Sequence, residues 1–217
     1  MRGLFEKDIR LVLQKKAFLF LIMIIAVALS FSMDDSFAVS YVTMIGMVLA
    51  ITTLSYDEYD NGMPFLMTLP VSRKGYAAEK QIFSYLILTG CWILGMLLQL
   101  GCFAIQDKMP EPLAFIESSL LYLGIFVILL AILIPLELHF GMEKSRIAMF
   151  VLFGACFAIG MLGTKIGEFL HIDLTPLIQT VQSTPAAVLA AIGAGIVLFF
   201  VVISSLITGA VMKKKEF

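Results

Sequence analysis

The chain has 217 residues, of which 60% are hydrophobic and 14% are charged, and its mean hydropathy is +1.00. A soluble domain of this size is about half apolar and a quarter charged, so the composition indicates an integral membrane protein. The formal net charge of −1 argues against nucleic acid as a partner.

The first sixteen residues, "MRGLFEKDIRLVLQKK", mix apolar side chains with basic and acidic ones. This pattern predicts an amphipathic helix over residues 1–16 that lies at the membrane surface and leads, as an elbow, into the first span. The apolar run that follows ends without a small-residue cleavage motif, which indicates a retained anchor and not a signal peptide.

Six apolar segments are long enough to cross the hydrocarbon core, which takes about 20 helical residues. Lipid offers no hydrogen-bond partners to the backbone, and the alternation that a β-barrel needs is absent, so each segment is predicted as a helix. The predicted fold class is therefore an all-α membrane protein, a single domain over residues 1–217, with six transmembrane helices and the N-terminal amphipathic interfacial helix. The predicted spans cover residues 17–33, 37–54, 82–105, 114–138, 147–166 and 186–212.

The basic residues predict the orientation of these spans. Of the 15 Lys and Arg residues, all but Lys108 and Lys165 fall on the side that holds both termini. The positive-inside rule places that side in the cytoplasm. The external segment 167–185 is either an ordinary loop or a re-entrant hairpin, and the sequence leaves both open.

No catalytic or metal-binding constellation is predicted, and no cofactor is expected. His139 and His171 fall on opposite sides of the predicted membrane, and no phosphate-binding loop or hydrolase motif occurs. Glu137 beside His139 is the only pair that a membrane-embedded enzyme could use. The three cysteines lie in apolar runs and are interpreted as small packing residues. Gln99, a strongly polar side chain inside a span, either joins helices or contacts substrate in a pathway.

A polar segment at residues 55–80 interrupts the apolar pattern on the cytoplasmic side. Asp57 and Glu58 come early, and Pro64 and Pro70 limit any helix to short pieces. Phe65 and its apolar neighbours lie outside the bilayer, where a partner protein could cover them. The alternative is a solvated loop whose apolar residues touch the lipid headgroups.

The stretch "SYDEYDNGMPFLMTLPVSRKGYAAEKQI" resembles the cytoplasmic loop of ABC-2-type permeases, the membrane subunits of bacterial ATP-binding-cassette exporters. The resemblance extends to the start "LFEKDIRL", to the six-span layout and to the basic tail. It implies a coupling helix that docks on a separate ATPase, with a second contact in the loop 136–146. The coupling residues implied are Tyr56, Asp57, Glu58, Tyr59, Asn61, Phe65, Leu66 and Glu143.

The resemblance also implies an assembly in the bacterial cell membrane. Two permeases, this chain with a second copy or a paralogue, pair with two separate ATPase subunits, so the chain itself is a transporter subunit and not an enzyme. The chain is similar to small exporters of amphipathic peptides such as phenol-soluble modulins, with Gln99 the candidate contact in the substrate pathway. The alternative function is a membrane accessory or immunity factor that does not transport.

Overall fold

The computed structural model describes residues 2–32, 36–59, 62–68, 72–141 and 185–214, together with isolated positions between 144 and 158. The regular structure in these ranges is helical, which agrees with the predicted all-α class. Seven helices lie in them: α1 Arg2–Gln14, α2 Lys16–Ser32, α3 Phe37–Glu58, α4 Gly62–Thr68, α5 Arg73–Ile105, α6 Pro112–Phe140 and α7 Ala186–Lys214.

Local sequence signals explain where the long helices begin and end. The Ser72 side chain accepts a hydrogen bond from the backbone N–H of Gly75 at 3.0 Å and so caps the start of α5. Pro112 opens α6, where its missing N–H costs no helical hydrogen bond. Gly141 ends α6 with φ at +79°, in the left-handed region that glycine adopts without a steric penalty.

Four helices are long and apolar enough to cross a membrane, namely Phe37–Glu58, Arg73–Ile105, Pro112–Phe140 and Val188–Lys213. They correspond to four of the six predicted spans, and α5 begins nine residues before the predicted start of its span. Helix α2 corresponds to the predicted first span but qualifies only together with α1, so the described residues hold four spans, or five if that pair counts as one. Most of the predicted span 147–166 lies outside the described residues.

Helices α1 and α2 meet at Lys15 with a bend of 63°. The α1 helix packs against α3 and α5, and its Phe5 ring contacts Phe83 edge to face at 5.8 Å between centroids. At the bend, Lys15 Nζ lies 5.0 Å from the centroid of the Tyr56 ring. The predicted elbow segment is thus a helix that is attached to the ends of two long helices.

Helices α3 and α5 form the centre of the bundle and approach each other closely at two glycines. A Cβ placed on Gly46 would lie 2.6 Å from Cys91 Cβ, and one on Gly95 would lie 3.1 Å from Val39 Cα. Such close contact through small residues is the usual basis of helix association in membranes. Cys91 therefore serves as a packing residue, as the sequence indicated.

The apolar core lies between α3, α5 and α6 and includes Leu54, Leu88, Leu130 and Ile134. Helix α7 packs on α6 and α5. Its buried polar side chains, Ser204 and Thr208, each accept a hydrogen bond at 3.2 Å from the side-chain amide of Gln81 on α5. One amide thus fixes the register of two helices that are far apart in sequence.

Candidate functional site

An ionic cluster is buried at the end of the bundle where α3 ends and α5 begins, called here the charged end. Lys80 of α5 is fully buried and pairs with Asp8 of α1, which is also fully buried. The same Lys80 Nζ lies 2.7 Å from Oδ2 of Asp57, near the end of α3. One ammonium group therefore joins three helices.

Two further side chains complete the cluster. The Tyr76 hydroxyl donates a hydrogen bond to Asp57 Oδ2 at 2.9 Å. Lys7 Nζ pairs with Asp57 Oδ1 and lies 3.3 Å from Asp8 Oδ1. Burial disfavours the ammonium of Lys7, but the hydrogen bonds and charges of Asp57 and Asp8 together outweigh this effect, so the pKa of Lys7 is raised. Lys7 lies on α1, outside the four long apolar helices.

The energetics of such a cluster favour specificity over stability. Moving charges out of water is costly, so a buried pair adds little net stability, but removing one partner costs about 3–5 kcal/mol. Since Lys80 pairs with two carboxylates, α1 cannot leave α5 without exposing or orphaning a charge. The cluster thus makes α1, α3 and α5 one mechanical unit at this end.

Glu79 adds a third carboxyl group beside the cluster. Its side chain is fully buried, and neither carboxylate oxygen has a hydrogen-bond partner among the described residues. The five side chains Lys7, Asp8, Asp57, Glu79 and Lys80 thus carry two basic and three acidic groups. Even so, no group of three or more His, Cys, Asp or Glu side chains in the described ranges is arranged to hold a metal ion.

The short helix α4 connects α3 to α5 at the charged end and has one buried face and one exposed face. Met63 is 4% exposed and belongs to the core, and Leu66, three residues later, packs against that core. Phe65 is 69% exposed. A Cβ on Gly62 would lie 2.8 Å from the carbonyl oxygen of Asp57, so this tight connection requires glycine. Met63 and Leu66 therefore attach α4 to the core, while the Phe65 side chain remains exposed.

The described residues thus form a helical bundle with four long apolar helices and a short helix, α4, between the first two of them. A family model described as ABC-2 family transporter protein matches residues 3–213, nearly the whole chain. The chain belongs to the ABC-2 family of transporter membrane proteins. No curated protein and no solved structure matches it at a significant level.

The exposed candidates for ATPase contact in this ABC-2 protein are aromatic. Tyr56 is 45%, Tyr59 is 61% and Phe65 is 69% exposed, and all three lie in the segment from the last turn of α3 to α4. Leu66 is half-buried and packs against the apolar core, so it helps to attach α4 to the bundle. Two other predicted coupling residues lie outside the described residues, namely Asn61 in this segment and Glu143 in the second loop.

The two acidic candidates of the segment have intramolecular contacts. Asp57 belongs to the buried cluster, so its carboxylate connects helices and does not face solvent. The Glu58 carboxylate lies against the end of α6, where a Cβ on Gly141 would be 3.1 Å from Glu58 Oε2. The structure thus brings the predicted first contact segment next to the beginning of the predicted second one.

Sequence reasoning missed the buried cluster as a unit. It interpreted Lys7 and Lys80 as charges that set topology and included Asp8 only as part of the amphipathic helix over residues 1–16. Tyr76 and Lys80 are four residues apart and share a helix face, which is a detectable local signal. Nothing in the sequence indicates that Asp8, 72 residues before Lys80, meets that face.

The structure separates the only pair considered for an enzyme. Glu137 is buried and accepts a hydrogen bond at 2.6 Å from Ser55 Oγ, whereas His139 is exposed and lies against Phe140. Residues two apart on a helix point to different faces, so these side chains do not converge on a reacting atom. Gln99, the candidate pathway residue, is fully buried within the chain.

Proposed function

We propose that this chain is the permease subunit of an ATP-binding-cassette exporter in the bacterial cell membrane. Separate ATPase subunits drive it, and it forms the substrate pathway with a second copy or a paralogue. Membership of the ABC-2 transporter family supports the permease assignment. Both termini lie in the cytoplasm in this proposal, because the basic residues cluster on that side.

The observation that carries the proposal is the anchored α4 helix with its exposed aromatic side chain. Phe65 is 69% exposed while Met63, two residues earlier, is 4% exposed and locked in the core. A large aromatic side chain in solvent at the end of a membrane bundle is typical of a protein contact site. Tyr56 and Tyr59 extend this exposed aromatic surface, which is the proposed ATPase-docking surface.

The proposed mechanism follows from how the docking surface is attached. A force on α4 reaches α3 and α5 directly, because α4 connects these two helices and packs into their shared core. The force reaches α1 through the Lys80–Asp8 ion pair. Interfaces of this kind shift as rigid bodies between discrete states, and ATP-dependent contact at one end can then change which side the pathway faces.

The proposed substrate class is amphipathic peptides or other amphiphilic molecules. Its support is the resemblance of the segment 55–80 to that of small bacterial peptide exporters. ATP hydrolysis is assigned to the partner subunit in this proposal, and the chain itself supplies the pathway and the coupling surface.

Co-purification from native membranes tests the proposal. Phe65→Asp places a charge in the centre of the docking surface, so we expect the variant to insert normally but to lose the ATPase that wild type retains. Met109→Asp is the matched control, because Met109 is 67% exposed at the opposite end of the bundle. We expect this control to retain the ATPase.

Two outcomes would contradict the proposal. If Phe65→Asp retains the ATPase as well as wild type does, the docking surface is assigned wrongly. If no ATPase accompanies wild type, the permease assignment fails, and the accessory or immunity factor takes its place.

A further inference from the structure

Gln99 lies on α5 with its side chain fully buried, yet neither its amide nitrogen nor its amide oxygen has a hydrogen-bond partner among the described residues. An unpaired amide in an apolar interior is unfavourable, and most buried amides in proteins are paired. In this conformation both the donor and the acceptor of the Gln99 side chain are therefore available for a further hydrogen-bond partner.

The face of α5 that carries Gln99 meets α2, α3 and α6, because Trp92 and Phe103, two turns earlier and one turn later, contact Ser119 and Phe115 of α6. Gly95, one turn earlier, contacts Val39 of α3, and Gln106, two turns later, donates from Nε2 to the backbone oxygen of Ser30 on α2 at 3.3 Å. Helical geometry places Gly95, Gln99 and Gln106 within about 40° of one another around the axis. The Ser30 hydroxyl is also buried without a partner.

Helix α2 packs on α3 and α5 through a narrow stripe of residues. Its buried residues are Ile22, Ala26 and Ser30, spaced four apart, while large neighbours such as Phe20 and Leu21 are 69% and 53% exposed. At its other end α2 continues through the bend into α1, which the ion pair with Lys80 ties to α5. A shift of α1 at the charged end is therefore carried into α2.

We propose that Gln99 is the hydrogen-bonding contact for the peptide or amide groups of an amphipathic substrate, uncovered when the helices packed over this face of α5, α2 among them, move away from it. This inference rests on the proposed function, because the movement is driven by the ATPase. A carboxamide can donate a hydrogen bond to a peptide group and accept one from it simultaneously, and it carries no charge. It therefore suits the polar backbone of an amphiphile better than an anionic or cationic headgroup.

Cysteine accessibility tests the uncovering step. In a background with Cys91, Cys102 and Cys156 replaced by serine, Gln99→Cys is exposed to N-ethylmaleimide in the complex with its ATPase. We expect at least a tenfold faster reaction during ATP turnover than without nucleotide. Leu88→Cys is the control, because Leu88 is fully buried in the core between α3 and α6 and stays covered. Equal labelling of Gln99→Cys in both states overturns the proposal.

Gln99→Leu tests the unpaired amide and the substrate contact. If the Gln99 amide has no hydrogen-bond partner in the covered state, the leucine variant should have a higher thermal midpoint than the wild-type protein. A lower midpoint would indicate that the amide already has a partner, and this result overturns the proposal. The variant in proteoliposomes should export a fluorescent amphipathic peptide at least tenfold more slowly than wild type. Export by the variant at the wild-type rate also overturns the proposal. ATPase co-purification on the same samples separates a lost contact from a lost assembly.

Discussion

Lys80 and Asp8 form an ion pair in which both side chains are completely closed to solvent. The pair joins α5 to α1, and the nearby Asp57 extends the link to α3 through the same ammonium group. A pair in this position ties the first helix of the chain to the two helices that flank the docking surface. The charged end therefore responds to force as one body.

Replacing Lys80 should be the most damaging single change at the charged end. Lys80→Met keeps most of the length of the side chain but leaves Asp8 and Asp57 buried near one another without their shared cation. We expect a loss of about 3–5 kcal/mol in the free energy of unfolding, measured by SDS titration in mixed micelles. Lys74→Met is the matched control, because Lys74 is exposed on the same helix, and we expect a change within about 0.5 kcal/mol.

A second change separates the cost of an orphaned charge from the value of the pair. The double variant Lys80→Met with Asp8→Leu removes both members, so it should be less destabilised than the sum of the two single variants. An additive result would show that the two side chains do not interact.

Gly141→Ala should destabilise the end of α6. The residue has φ at +79°, and an added Cβ would lie 3.1 Å from Glu58 Oε2. Positive φ costs a non-glycine residue about 1–2 kcal/mol, and we expect a loss of that size in the same titration. Gly101→Ala is the control, because nothing lies within 4 Å of its Cβ position. There alanine should be neutral or stabilise the helix by up to about 1 kcal/mol.

Gly46→Ala should separate α3 from α5 at their closest approach. The new Cβ would lie 2.6 Å from Cys91 Cβ, which cannot rotate away, so we expect a loss of about 1–3 kcal/mol in the free energy of unfolding. Adding Cys91→Gly should recover part of this loss because it removes the clashing atom. Gly90→Ala has open space and should be tolerated. A fully tolerated Gly46→Ala would contradict the close packing.

Gln81→Leu should weaken the attachment of α7. The variant leaves the Ser204 and Thr208 hydroxyls without their donor, and each hydrogen bond is 3.2 Å long. Hydrogen bonds between membrane helices contribute about 0.6 kcal/mol on average and at most about 1.7, so we expect a loss below about 3 kcal/mol for the two. Proteolysis between α6 and α7 should become faster in this variant, whereas Gln14→Leu, on the exposed face of α1, should leave it unchanged.

Hydropathy predicted the positions of the long helices but could not find their ends. The segment 55–80, predicted as a cytoplasmic loop, contains the last turn of α3, the whole of α4 and the first two turns of α5. By composition, the charged and aromatic residues at these ends favour solvent. They remain helical because Asp57, Tyr76 and Lys80 satisfy one another across helices, and a composition window cannot detect a partner far away in the chain.

The docking surface was more accessible to sequence reasoning than the ionic cluster. Pro64 and Pro70 limited any helix here to a short piece, the family resemblance implied a coupling helix, and the structure has a short helix at Gly62–Thr68. The buried states of Asp57 and Gln99 depend on how α1, α2 and α3 pack against α5. Such burial follows from tertiary contacts and has no local sequence signal.

The Lys80–Asp8 pair also sets an order of events during synthesis. Asp8 leaves the ribosome 72 residues ahead of its partner, so it has no cation from α5 to meet until that helix has been made. Until then the charges of α1 need water or lipid headgroups, because burying them alone is too costly. Helix α1 therefore reaches its native position only after α5 has been made, although it is translated first of the two, and a nascent chain that stops before α5 leaves it undocked.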